Sequence, residues 1–204
     1  MFARLLDGQG FTFETYPVVD GHFPPSVEAA EGWLITGSKH GVYEDHPWIA
    51  PLETFLRDAY AADRPIVGIC FGHQILAQAL GGTVEKFVGG WSVGVTEYDL
   101  VSGAPAERII AWHQDQVIVP PAEARVLASS DFCPYAMLAY GTKALTYQPH
   151  PEFSPAFMTD LLAVRRSILP PAIAEAAVTS LALPLTSSRA AAQIASFFKT
   201  RQIH

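Results

Sequence analysis

Pro65-Ile66-Val67-Gly68-Ile69-Cys70-Phe71-Gly72-His73-Gln74 is a short apolar run of β type that ends on a thiol between two glycines and then turns into a helical pattern. A strand-to-helix elbow pushes its central side chain out of the fold, and small residues two positions to either side let neighbouring backbone pass close to it. Gly68, Cys70 and Gly72 write G-x-C-x-G, the thiol version of the hydrolase G-x-S-x-G. The elbow also points the thiol at a helix N-terminus, whose partial positive charge favours the thiolate. The competing reading is a cysteine that only packs, since free cysteines are among the most buried residue types. A second constellation decides for the nucleophile. Tyr147-Gln148-Pro149-His150-Pro151-Glu152 follows the apolar run Ala144-Leu145-Thr146. A cysteine nucleophile needs a base, and the base needs a third group to hold its tautomer; His150 and Glu152 supply both, on a loop stiffened by two prolines.

Outward from the elbow, strand-like and helix-like runs alternate, the signature of an α/β fold with a doubly wound, mostly parallel sheet of flavodoxin-like kind. Phe11-Thr12-Phe13-Glu14-Thr15-Tyr16 reads as a strand, Trp33-Leu34-Ile35-Thr36 as the next, and 49–62 as a helix introduced by Pro51. The nucleophile strand 66–69 and its helix 72–80, closed by Gly81-Gly82, come next. From Thr83 to Thr146 short β runs at 83–88, 93–100, 126–128, 136–140 and 144–147 predict a continued sheet with a hairpin-rich excursion. The tail 156–204 is helical, over 156–167, 172–181 and 188–199, the last after a Ser187-Ser188 cap; Pro170-Pro171 and Pro184 separate the helices. A single domain over 1–204 is expected. Domains of this kind open on a strand, yet here the chain opens on the helical pattern Met1 to Leu6, so the first strand is missing from the pattern. That strand would lie inside the sheet, and its loss leaves neighbouring backbone groups unpaired at about 1–3 kcal/mol each if buried. The expectation is that Met1 is internal to a longer reading frame, the alternative being that another segment fills the slot.

The chain has 204 residues, 50% of them apolar and only 16% charged, which fits one globular domain rather than a disordered chain. A net charge of −7 argues against a nucleic-acid partner, which needs clustered Lys and Arg. Cys70 and Cys133 read as free thiols of a reducing compartment. Residues 1–7 lack a signal pattern, and no window reaches the about 18 unbroken apolar residues of a membrane span, so a cytoplasmic protein without membrane contact is expected.

The segment Gly68 to Gly82 (GICFGHQILAQALGG), together with His150-Pro151-Glu152, resembles the class I glutamine amidotransferase family, whose glutaminase domains carry a Cys-His-Glu triad on an α/β fold. Leu34-Ile35-Thr36-Gly37-Ser38 is similar to the strand and glycine turn that supplies an oxyanion-hole amide in that family. Gly90-Trp91-Ser92-Val93-Gly94 resembles its substrate-side loop, and Trp112-His113-Gln114-Asp115-Gln116-Val117 its H-x-D-x-V turn. The resemblance runs from about Phe11 to about Phe157 and is nearest to stand-alone members, which look like the amidotransferase half of GMP synthase and like the γ-glutamyl peptidases. It implies a catalytic Cys70, His150 and Glu152, and substrate contacts from Gln74, Trp91 and Ser92. Attack on an amide creates an oxyanion, for which the amide of Phe71 and one from Gly37 or Ser38 are the expected donors. This chemistry requires no metal or organic cofactor.

The resemblance leaves three functions open. A glutaminase would cleave the γ-amide of glutamine and pass ammonia to a separate synthetase subunit. A self-sufficient hydrolase would act on γ-glutamyl amines or peptides. A binding or regulatory module would keep the fold without turnover. Among the remaining residues, His73 reads as a helix-side hydrogen bonder and His113 with Asp115 as a turn-stabilising pair. His22, His40, His46 and His204 have no ligand-like partner spacing. Cys133 reads as structural, and Glu44 and Asp45 as solvated charge lying where a substrate ammonium would be met.

Overall fold

A computed structural model describes residues 1–203; His204 lies outside them. The central sheet joins β1 (Trp33–Ile35), β2 (Ile66–Ile69), β4 (Ser92–Leu100), β5 (Glu107–His113), β7 (Ala124–Ser129), β8 (Met137–Tyr140) and β9 (Ala144–Tyr147) in the order β1-β2-β9-β8-β7-β4-β5. A two-stranded ribbon, β3 (Thr83–Lys86) with β6 (Asp115–Val119), stands apart. The expected α/β architecture is present, with its parallel part narrower than the alternation predicts. Only β1–β2 and β2–β9 pair in parallel, while the other four ladders of the sheet are antiparallel. Parallel neighbours need a crossover, which α2 (Ile49–Ala61) supplies between β1 and β2, whereas the short link between β8 and β9 permits only a hairpin.

Local sequence accounts for the elements around the elbow. Pro51 sits in the first turn of α2, where its missing N–H costs nothing. Helix α3 (Phe71–Ala79) is buried along all but Gln78 and ends before Gly81, which adopts φ +91°. In the tail, α4 (Pro155–Arg165) is capped by Ser154 Oγ, which accepts from Phe157 N at 3.1 Å. The helices α5 (Pro171–Ser180) and α6 (Ser187–Thr200) follow. The expected Ser187-Ser188 cap is displaced by one position: both serines lie inside α6, and the residue before it is Thr186, whose Oγ1 accepts from Arg108 N.

Two readings of the first half are corrected. Residues 11–16 form no strand, because the alternation Phe-Thr-Phe-Glu-Thr-Tyr finds no ladder to join; Phe11 instead meets Phe198 of α6 edge-on at 5.8 Å. The opening helix α1 covers Phe2–Leu5. The outer side of β1 pairs with no strand among the described residues, so no other segment fills the slot of the first strand. Phe2, Leu5, Phe11, Leu34, Phe198 and Ile203 are partly buried against the core that α6 covers. Strands β5 and β6 lie outside the expected β runs, and the turn expected at 112–117 is only the single-residue step at Gln114 between them.

The two faces of the sheet carry separate cores. One packs Val67, Ile69, Tyr98, Tyr147 and Met137 against α6. The other packs Ile66, Leu138 and Tyr140 against α2 and α3. A third cluster joins α4 and α5 to β4 and β5. No helix among the described residues is long and apolar enough to cross a membrane.

Candidate active site

Cys70 stands between β2 and α3 with φ +53° and ψ −101°, a conformation that a non-glycine residue holds only when its surroundings enforce it. Two backbone bonds do so. Cys70 N donates to Tyr147 O at 2.7 Å, and Cys70 O accepts from Gln74 N at 3.0 Å. The flanking glycines are required sterically. A Cβ on Gly68 would lie 2.4 Å from Gly72 O, and one on Gly72 would lie 2.2 Å from Ile35 O. The G-x-C-x-G pattern is thus the condition for β1, β2 and α3 to close beneath the thiol.

The structure brings His150 and Glu152 to this thiol. His150 N donates to Ile110 O at 2.8 Å, which fastens the proline-stiffened loop to β5. Its Nδ1 lies 2.8 Å from Glu152 Oε1, and its ring stacks on Phe153 at 4.0 Å and 16°. With Nδ1 engaged by the carboxylate, Nε2 is the nitrogen left for sulfur. Burial opposes a charge on His150, but the Cys70 sulfur and the Glu152 carboxylate outweigh it and push its pKa up to about 10. The imidazolium is therefore the form that this enclosure favours.

Gly37 lies against both groups: a Cβ there would come 2.9 Å from His150 Cε1 and 3.7 Å from Cys70 Cβ. The amides of Gly37 and Ser38 engage no backbone carbonyl among the described residues. Phe71 begins α3, so its N–H has no helical acceptor either. No backbone carbonyl among the described residues engages these three N–H groups, a condition that a donor to an oxyanion must meet.

Gln74 is buried, and its amide nitrogen is spent on Asp115 O at 2.9 Å and on Gln148 Oε1 at 3.1 Å. Gln148 in turn points Nε2 at Cys70 Sγ, 3.7 Å away. Gln74 thus reaches the sulfur through Gln148, a residue whose role the sequence reading missed although it stands two positions before His150. Phe153 was missed in the same way. Trp91 and Ser92 form no hydrogen bond with the thiol or imidazole among the described residues. Trp91 meets Trp112 edge-on at 6.0 Å and joins the cluster that includes Phe153, while Ser92 is buried opposite His113 in the β4–β5 ladder.

Behind the site, His73 Nδ1 lies 2.8 Å from Thr146 Oγ1, the hydrogen-bonding role expected for it. Burial pushes the pKa of His73 and that of His113 down to about 3; the His113 ring adds to the effect at His73, and the His150 imidazolium adds to it at His113. His113 and Asp115 do not pair through their side chains: the Asp115 carboxylate faces the Tyr43 hydroxyl instead, and His113 packs edge-on to Phe132 at 6.3 Å. Cys133 is buried, and that burial raises its thiol pKa to about 12, in keeping with a structural cysteine. His40 and His46, read as lacking ligand spacing, converge with Glu44 on one spot of the loop after Gly37.

Comparison with known proteins gives the family and the fold. The model of the family described as "Glutamine amidotransferase class-I" matches residues 28–163. Gamma-glutamyl peptidase 4 of Arabidopsis thaliana is 32% identical over 176 residues, covering 79% of this chain and 70% of that one. The glutamine-hydrolyzing GMP synthase of Aeropyrum pernix is 37% identical over 95 residues, 44% of this chain and 19% of that one. In fold, the crystal structure of a glutamine amido transferase from Methylobacillus flagellatus superposes with a TM-score of 0.83 at 20% identity, over 100% of this chain and 90% of that one.

Proposed function

The chain belongs to the glutamine amidotransferase class-I family, and on that premise we propose that it is a cysteine hydrolase of γ-glutamyl amide bonds, with γ-glutamyl peptides and amines as its substrates. The observation that carries this reading is the Cys70 thiol, held at φ +53° beneath an imidazole that Glu152 orients at 2.8 Å.

The thiolate of Cys70 attacks the γ-carbonyl carbon. The oxyanion that forms takes hydrogen bonds from the amides of Phe71 and of Gly37 or Ser38, each worth about 3 kcal/mol of barrier. The imidazolium of His150 gives its proton to the departing nitrogen, the C–N bond breaks, and a γ-glutamyl thioester remains on Cys70. His150, now neutral, takes a proton from water; the hydroxide adds to the thioester, and glutamate leaves as the sulfur is freed. Glu152 keeps the imidazole in one tautomer throughout. Gln148, tethered by Gln74, fixes the sulfur from the side.

Support for a leaving group larger than ammonia comes from the Arabidopsis peptidase, whose match covers most of both chains. The match to GMP synthase favours a second reading, in which glutamine is hydrolysed and the ammonia passes to a synthetase on another polypeptide. An assay of the purified chain with γ-glutamyl-p-nitroanilide, glutathione and glutamine, each beside Cys70→Ala, tests both. The peptidase reading expects amine release from the first two by the chain alone, lost in Cys70→Ala with the melting temperature kept. Slow glutamine hydrolysis that rises only with an added partner selects the second reading. Turnover by Cys70→Ala would place the nucleophile elsewhere, and inactivity on every substrate would leave a binding module.

A further inference from the structure

The loop that leads from the Gly37-Ser38 turn into α2 gathers three donors. Glu44 Oε2 stands 3.3 Å from His40 Nδ1 and 2.7 Å from His46 Nε2, and all three donor atoms lie within 4.8 Å of one another. Two imidazoles and a carboxylate make the mixed nitrogen and oxygen set that zinc and its first-row neighbours prefer, and side-chain rotations of about 1 Å bring donors this close to bonds of about 2.1 Å from a common centre.

The chain holds these donors in place by its own bonds. His40 N donates to Ser38 Oγ at 3.3 Å, Glu44 N to Gly41 O at 3.1 Å, and His46 N to Glu44 O at 3.0 Å. Trp48 backs both rings, stacked on His46 at 5.7 Å and 10° and edge-on to His40 at 5.7 Å. Preorganisation of this kind lowers the ordering cost of binding. His40 and His46 are half-buried and Glu44 is exposed, so an ion would meet three protein ligands on one side and water on the other.

We propose that His40, Glu44 and His46 form a binding site for a divalent cation of the zinc type, with its remaining coordination positions open to solvent. The site adjoins the catalytic groups without sharing a residue with them. His40 lies two positions after Ser38, and Trp48, on which both imidazoles rest, packs on Phe71 at 5.5 Å. A bound ion would clamp the loop between the Gly37 turn and Trp48. The H-x-x-x-E-x-H spacing written by these residues carried the signal in the sequence.

Because a thiol beside an imidazole also attracts zinc, the test is run on the full chain carrying Cys70→Ala, by calorimetric titration with zinc chloride. One equivalent is expected to bind. His40→Ala and His46→Ala are each expected to weaken binding about a hundredfold and Glu44→Gln about tenfold, with the metal-free melting temperatures unchanged. Cobalt(II) is expected to quench part of the tryptophan fluorescence through Trp48, and His46→Ala to remove that quenching. Zinc binding that survives both histidine substitutions, or that is absent from Cys70→Ala at submillimolar zinc, would overturn the proposal.

Discussion

Glu152 acts on the thiol only through His150, and a single hydrogen bond of 2.8 Å carries its influence. The carboxylate is one of the groups that raise the imidazole pKa to about 10, the Cys70 sulfur being the other. In the proposed mechanism the imidazolium protonates the leaving nitrogen, so activity is expected to be lost as pH rises through that pKa. Glu152→Gln is therefore expected to move the alkaline limb of the kcat/KM profile to lower pH and to reduce kcat about a hundredfold, as a pH–rate series on both proteins would measure. An unmoved alkaline limb would detach Glu152 from the imidazole. At this scale the site was legible where its chemistry is written in consecutive residues: Gly68-Ile69-Cys70-Phe71-Gly72 and His150-Pro151-Glu152 each specify a local geometry. Gln148 was not legible, because its task depends on Gln74, 74 positions away on α3. Trp91 and Ser92, inferred from the resemblance of their loop, engage neighbours of β5 rather than the thiol or imidazole.

The union of β1, β2 and α3 places the thiol, and two glycines, Gly72 on α3 and Gly37 just beyond β1, should respond to substitution in opposite ways. In Gly72→Ala the new methyl meets a backbone carbonyl oxygen, Ile35 O at 2.2 Å, which no side-chain rotation relieves. The helix must lift from the sheet, and the expected cost is about 3 kcal/mol or more of stability, read by urea unfolding. In Gly37→Ala the methyl meets His150 Cε1 at 2.9 Å and Cys70 Cβ at 3.7 Å. Its damage should fall on kcat/KM, at least about tenfold, with the unfolding midpoint nearly kept. Most elements were legible from periodicity and from glycine and proline punctuation. Residues 11–16 were not, since alternation records a capacity for pairing and the nearest edge, β1, offers them no ladder. The narrow extent of parallel pairing was hidden for a similar reason: strand order belongs to the sheet as a whole.

For the whole molecule, the buried histidines set how stability depends on pH. His73 and His113 titrate near 3 when folded against about 6.5 when unfolded, so the unfolded chain takes up protons first on acidification. Their contribution is present above pH 6.5 and is lost progressively as pH falls toward 3. His150 has the opposite sign: its folded pKa of about 10 gives a contribution that is full below pH 6.5 and is lost as pH rises to 10. The melting temperature is accordingly expected to peak near neutrality and to fall on both sides. His73→Asn should flatten the acid side, and a melting series from pH 4 to 10 would check both limbs. Their neighbours also pull the two sulfurs apart in behaviour. Cys133, 2% exposed, has its thiol pushed up to about 12 by burial, while Cys70 keeps 7% of its surface exposed and lies beside a protonated base. Iodoacetamide added to the native protein should therefore stop at one adduct, absent from Cys70→Ala, so that intact mass alone would count the competent molecules in any preparation.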